Sequence, residues 1–247
     1  MAREFSGRRK NSMTANGTIH PENRAAAESS LWAAARQFLA DRLEAADGVC
    51  VTSSFQAEDV VLLHMVRALL PRVAVLFLET GYHFPETLAY RDRIAAEWDL
   101  QLISLAPQQT VSEQESALGI LYRTAPDRCC ALRKVGPLFE ALSGYRVWVT
   151  GLRRQQAKSR AHLQLEEDFR LPGGATLRKL NPLAEWTTRD VWEYAGAHGI
   201  PLLPLYERGY TSIGCAPCTS LPADPADPRS GRWSGRKQEC GIHLQDE

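Results

Sequence analysis

The chain has 247 residues, 44% of them hydrophobic, and its 29 Lys+Arg balance 29 Asp+Glu to a formal net charge of zero. That apolar content supports a packed core and excludes wholesale disorder, while the lack of a basic excess excludes a general nucleic-acid binder. No apolar run approaches the roughly 20 residues that cross a bilayer, and Arg8, Arg9 and Lys10 are not followed by the apolar stretch of a signal peptide. A cytoplasmic protein with no membrane partner is expected.

Residues 1–20 are polar and turn-rich and read as a disordered N-terminus. Pro21 to Ala46 reads as an amphipathic helix, with Leu31, Trp32, Ala35, Phe38, Leu39 and Leu43 on one face. A strand–helix rhythm follows. Strands are expected at 48–55, 73–78, 100–105 and 145–150, and helices at 57–70, from Pro85 to about Trp98, and at 127–142. Apolar strands alternating with helices imply an α/β fold, a doubly wound and mostly parallel sheet covered on both faces. Phe169 to Leu183 suggests an edge strand or hairpin around Gly173-Gly174. Thr188 to His198 reads as a helix capped by Thr187 or Thr188. The α/β unit is thus placed at 21–220. Residues 221–247, rich in Pro, Asp, Gly and Arg up to Arg236, read as a flexible linker and tail.

Ligands of such sheets bind at the carboxyl ends of the strands. Three stretches fall there. Ser53-Ser54-Phe55-Gln56-Ala57-Glu58-Asp59 leads into a helix. It reads either as a phosphate-binding N-terminus or as a plain cap with Ser54 capping. Leu78 to Tyr82 follows the second strand. Gly151-Leu152-Arg153-Arg154, continuing to Lys158 and Arg160, places four cations after the fourth strand, as an anion site or as a solvated loop. Neither GxGxxG nor GxxxxGK[ST] is present, which argues against a dinucleotide fold or a Walker NTPase.

The six cysteines are Cys50, Cys129, Cys130, Cys215, Cys218 and Cys240. Cys50 alternates with Val49 and Val51 and reads as core. The adjacent pair Cys129-Cys130 and the CxxC Cys215–Cys218 suggest a closed all-thiolate site. Neighbouring residues reach separate corners of a cubane more easily than one small tetrahedral ion, which favours iron–sulfur over zinc. Two structural cysteines plus an unrelated CxxC is the plainer alternative. Cys240 sits in a polar tail, where Arg236, Lys237 and His243 would favour its thiolate.

Taken in order, SSFQAEDVVLLHM, LETGYHFPET, CCALRKVGPL, TGLRRQQAKSR, GCAPCT and ECGIH resemble motifs of the assimilatory sulfonucleotide reductases, bacterial adenylyl-sulfate (APS) type, over roughly residues 45–243. The resemblance implies the adenine-nucleotide alpha hydrolase (PP-loop) fold. It implies reduction of APS to sulfite and AMP, with Cys240 as nucleophile, an S-sulfocysteine intermediate and reduced thioredoxin as partner. Cys129, Cys130, Cys215 and Cys218 would ligate a 4Fe-4S cluster. Ser53, Ser54, Phe55, Glu79, Thr80, Gly81, Gly151 and Arg153 would hold the nucleotide; Arg160, Arg229 and Arg232 would hold the phosphosulfate, and Lys134, also substrate-binding, would stand between the cluster and the substrate sulfate. It also implies a homo-oligomer. Three positions depart from the family pattern: Glu79 stands for the usual Asp, Ser234-Gly235 for further tryptophans, and Gln155-Gln156-Ala157 for a polar turn. The alternatives are a PAPS (3′-phosphoadenylyl sulfate) or dual-specificity reductase and, more distantly, a zinc-stabilised nucleotide-binding module or PP-loop ATP pyrophosphatase.

Overall fold

The computed structural model describes residues 21–237 and 239–243, with side chains from residue 30 onward. The expected disordered stretch, 1–20, lies outside the described residues. Helix α1 spans Pro21–Leu43 and seats Ala35, Leu39 and Leu43 in the core, with Leu31, Trp32 and Phe38 packed against it. The parallel units follow: β1 (Val49–Thr52), α2 (Ala57–Leu69), β2 (Ala74–Leu78), α3 (Pro85–Glu97) and β3 (Gln101–Leu105). Pro85 opens α3 at its first turn, where its missing N–H is harmless.

The region between β3 and the cysteine pair, left unassigned by pattern, contains α4 (Val111–Leu118) and the short α5 (Leu121–Thr124). Thr110 caps α4 in a capping box with Glu113. The helix expected at 127–142 begins one residue earlier and is not uniform. It runs as α6 (Pro126–Cys130), a π turn (Ala131–Val135) and α7 (Gly136–Leu142). The Gly136 N–H reaches back to the Ala131 carbonyl, and Pro137 has no N–H to offer Arg133, so the wide turn sits where the regular ladder would fail.

Strand β4 (Val147–Val149) is followed by the hairpin β5 (Glu166–Arg170) and β6 (Thr176–Leu180) turning at Gly173-Gly174, and then by α8 (Thr188–Ala197). Thr187 is the α8 cap, reciprocated by Asp190. The sheet order is β3-β2-β1-β4-β6-β5, parallel throughout except for β5 at its edge. The fold is thus the mostly parallel, doubly wound α/β sheet expected. Two apolar layers flank it. One packs α1, α2 and α8 around Leu39, Val61, Trp186 and Tyr194; the other packs α7 around Cys50, Leu138, Trp148 and Phe169. Cys50 is fully buried, and burial pushes its thiol up. No described helix is long and apolar enough to cross a membrane.

The chain runs out from β1 to β2 and β3 on one side and returns to β4 on the other. The direction reverses between β1 and β4, so a crevice opens beyond their carboxyl ends.

Candidate active site

A cleft of about 670 Å³ occupies that crevice. Its floor is the β1–α2 turn. Phe55 adopts φ 59°, a left-handed conformation held by its N–H donating to Ser53 Oγ. The consequence is that Phe55 turns inward, fully buried against Phe77. Its side chain therefore does not line the cleft, and only its backbone is left to meet a nucleotide. Ser53 and Ser54 do line it.

Ser54 is not the helix cap. Residue Gln56 holds that position without a side-chain cap, and the N–H of Ala57 is instead taken by the Tyr206 hydroxyl at 3.0 Å. Ser54 gives its N–H (2.6 Å) and hydroxyl (2.7 Å) to Asp59 Oδ2. Burial, then Glu58, pushes the Asp59 carboxyl up to about 7, against the pull of the two Ser54 donors. Gly151, at the end of β4, passes so close that a Cβ would lie 2.4 Å from Asp59 Oδ1. Its φ does not require glycine; the crowding does.

The loop after β2 divides. Thr80 and His83 face the cleft, whereas Glu79 and Gly81 do not line it. Glu79 pairs with Arg91 at 3.0 Å and accepts the Gly81 N–H. Gly81 has φ 74°, and a Cβ there would meet Val111 at 2.6 Å. Both residues therefore fix the shape of the loop that presents Thr80. Thr80 is held from behind by Arg133, which is buried and donates to its carbonyl at 2.5 Å and to Gln114 at 3.1 Å.

After β4, Arg153 is buried with its guanidinium on the Trp186 carbonyl and Thr188, tying this loop to the start of α8. Arg160 lies on the cleft wall. Arg229 and Arg232 reach the cleft from the 221–236 segment, which folds back over the opening rather than away from it. Trp233 is buried there with the Arg232 guanidinium 4.4 Å from its ring. The segment packs closely at two glycines: a Cβ at Gly231 would lie 2.2 Å from the Ser220 carbonyl oxygen, and one at Gly214 2.1 Å from the Arg232 guanidinium.

Cys240 and His243 also line the cleft. Lys134, Arg229 and Arg232 each lie within electrostatic reach of the Cys240 sulfur. The cations expected to favour its thiolate are engaged elsewhere. Arg236 donates to the carbonyls of Arg123 and Tyr122, and Lys237 pairs with Asp127 at 2.5 Å. His243 stacks on Trp148 at 5.3 Å, and burial, then Lys179, holds its imidazole neutral.

Cys129, Cys130, Cys215 and Cys218 line one further small cavity, together with Tyr82, Tyr122, Arg133 and Lys134. Lys134 and Cys215 border both spaces, so this lysine stands between the thiol cavity and the cleft. Burial, then the neighbouring thiols, pushes Cys129 up to about 11. Burial alone would lower Lys134, but the facing sulfurs of Cys215, Cys240 and Cys130 push it up. Thr80 Oγ1 lies 3.3 Å from Cys215 Sγ. Among the described residues, no group of three or more His, Cys, Asp or Glu side chains is arranged to hold a metal ion as placed. The donor set fits a thiolate-bound group nonetheless: four soft ligands from two segments share one cavity, with a cation beside them.

The model of the phosphoadenosine phosphosulfate reductase domain matches residues 48–221. The chain belongs to this family. The loops after β1, β2 and β4 and all four paired cysteines fall inside the matched span, while Arg229, Arg232 and Cys240 lie beyond it. The chain is 48% identical over 199 residues to the adenosine 5′-phosphosulfate reductase of Streptomyces coelicolor, covering 80% of this chain and 82% of that protein. It is 49% identical over 189 residues to the enzyme of the same name from Mycolicibacterium smegmatis, covering 76% and 79%. Among solved structures, the phosphoadenylyl-sulfate reductase of Candida auris superposes with a TM-score of 0.66 at 24% identity, over 82% of this chain and 98% of that one. A Candida glabrata FMN adenylyltransferase superposes at 0.60 and 14% identity, over 80% and 65%. These two likenesses show the shared fold.

Reading along the sequence missed Asp59, Tyr206, Glu239 and the seat of His243. Asp59 was visible as an acid in a helix first turn. Its use to hold Ser54, and the approach of Gly151, depend on strands brought together only by the sheet.

Proposed function

We propose that this protein reduces adenosine 5′-phosphosulfate to sulfite and AMP. The observation that carries the reading is Cys240 in one cleft with the β1–α2 turn and with Lys134, Arg160, Arg229 and Arg232. The names of the relatives at 48–49% identity support the same reading.

A nucleotide seated on Ser53, Ser54, Thr80 and Gly151 directs its phosphosulfate toward the four cations. They offset the repulsion between an anionic thiolate and an anionic substrate. The Cys240 thiolate attacks the sulfate sulfur. A sulfur–sulfur bond forms, the sulfur–oxygen bond to the phosphate breaks, and AMP leaves with that electron pair. The enzyme is left as S-sulfocysteine. A reduced dithiol protein of the thioredoxin kind then attacks the Cys240 sulfur and expels sulfite. Its second thiol closes a disulfide and returns Cys240 reduced, so the two electrons come from the dithiol.

Cys129, Cys130, Cys215 and Cys218 would hold a 4Fe-4S cluster. A single tetrahedral ion would need all four sulfurs within about 3.8 Å of one another, given Zn–S bonds near 2.3 Å. A cluster spreads its ligands over separate irons, which suits an adjacent pair. Bound there, it would supply a fixed electrostatic charge beside Lys134. A cytoplasmic location fits thiols that must stay reduced.

The test is Cys240→Ser. It should abolish sulfite release from adenosine 5′-phosphosulfate while nucleotide binding stays within about twofold, because the change is nearly isosteric and the nucleotide rests on other residues. Full turnover by the variant would overturn the assignment.

A further inference from the structure

The residue before the nucleophile has a use of its own. Glu239 is only 11% exposed and sits in the cleft, not in solvent. Arg160 grips it with both arms, Nε to Oε1 at 2.9 Å and Nη2 to Oε2 at 2.7 Å. Ser159 Oγ donates to Oε1 at 3.0 Å, and Arg229 Nη2 stands 3.5 Å from Oε2. Burial alone would raise this carboxyl, but Arg160 above all, then Arg229 and Ser159, holds it below the usual carboxylate range. Arg160 spends its remaining terminal nitrogen on Gln156.

A guanidinium fork presents one bidentate face to a carboxylate, a phosphate or a sulfate. Arg160 therefore cannot hold Glu239 in this way and grip a substrate oxyanion on the same face. On the other side of Cys240, Ile242 packs on the α7 layer and the His243 ring stacks on Trp148 with the planes 16° apart. The tail is pinned at two points flanking the nucleophile, and one of them is the anion site itself.

We propose that Glu239 is a built-in competitor for that anion site: it latches the tail in the ligand-free protein, and an incoming phosphosulfate displaces it from Arg160. Binding and release of the Cys240 segment are then one exchange of anions. The arriving substrate frees the tail residue that must reposition to attack it, and departure of AMP and sulfite restores the latch. The identity of the displacing anion rests on the function proposed above; the latch itself does not.

The experiment follows alkylation of Cys240 by iodoacetamide, read by peptide mass spectrometry on the intact, anaerobically purified protein. ADP serves as probe, since its second phosphate places a tetrahedral anion where the sulfate would be and transfers no sulfonyl group. Glu239→Gln is expected to alkylate about tenfold faster than wild type with no nucleotide present, the effect of losing one half-buried charge-assisted pair. Glu239→Ala, which also removes the amide, should do at least as much. ADP should accelerate wild type by a similar factor, leave Glu239→Gln unchanged, and bind that variant about tenfold more tightly. Wild-type alkylation rates in both variants without nucleotide would overturn the latch. Equal or weaker ADP binding by Glu239→Gln would overturn the competition. Fast ligand-free alkylation of the variants, with ADP neither binding to nor accelerating wild type, would uphold the latch and instead count against the sulfonucleotide substrate.

Discussion

Gly151→Ala probes how the two halves of the sheet meet at the cleft. The new methyl carbon would sit 2.4 Å from Asp59 Oδ1, 3.3 Å from the Asp59 nitrogen and 3.3 Å from the Glu58 carbonyl carbon. Two of those atoms are helix backbone at the start of α2, which cannot retreat without moving the helix. The carboxylate can rotate, but only by leaving Ser54, whose N–H and hydroxyl it accepts at 2.6 and 2.7 Å. Overpacking costs about 1–3 kcal/mol, and losing the hydrogen bonds from Ser54 costs about 1 kcal/mol more. A loss of about 2–4 kcal/mol in urea unfolding is therefore expected. Nucleotide affinity should weaken in the same variant, because the β1–α2 turn loses its tether. Gly196→Ala is the control. It lies in α8 with nothing within 4 Å of its added carbon and no positive φ, so it should be neutral or stabilising by up to about 1 kcal/mol. Wild-type stability and binding in Gly151→Ala would refute the crowding argument.

The Asp59 carboxyl is pushed from 3.8 up to about 7, so the folded state holds a proton that the unfolded chain has already lost. Its contribution to stability is therefore full below about pH 4 and falls as pH rises to about 7. Asp59→Asn should remove that part of the pH slope in chemical unfolding; an unchanged slope would count against it. For the proposed cluster, anaerobic protein should carry about four irons per chain with broad absorbance near 400 nm, and Cys218→Ser should lose both. Stoichiometric zinc in a colourless protein would contradict it.

Much of the architecture was legible because it rests on local pattern. Four strands bounded by Gly, Pro and charged residues stand within a residue or two of their expected ends, except that β1 and β4 are shorter. At their carboxyl ends β1 gives up residues 53–55 and β4 gives up Thr150 to the loops at the cleft. The α4 capping box was also written in the chain as Thr110 and Glu113, but the stretch is too polar to show a periodic face. Site residues divide along the same line. The cysteines and arginines could be picked out by type and spacing. The side-chain directions of Phe55 and Glu79 could not be read from type and spacing, because one left-handed residue and one ion pair set them. Glu239 and His243 could not be placed, since their partners Arg160 and Trp148 lie about 80 and 95 residues away in sequence.

The central claim is that Cys240 takes the sulfonyl group itself. Anaerobic protein incubated with adenosine 5′-phosphosulfate alone, with no dithiol, should release one AMP per site and gain the mass of SO₃ on the Cys240 peptide. Reduced thioredoxin should then remove that mass as sulfite. AMP release with Cys240 unmodified, or the added mass on Cys218, would contradict the account.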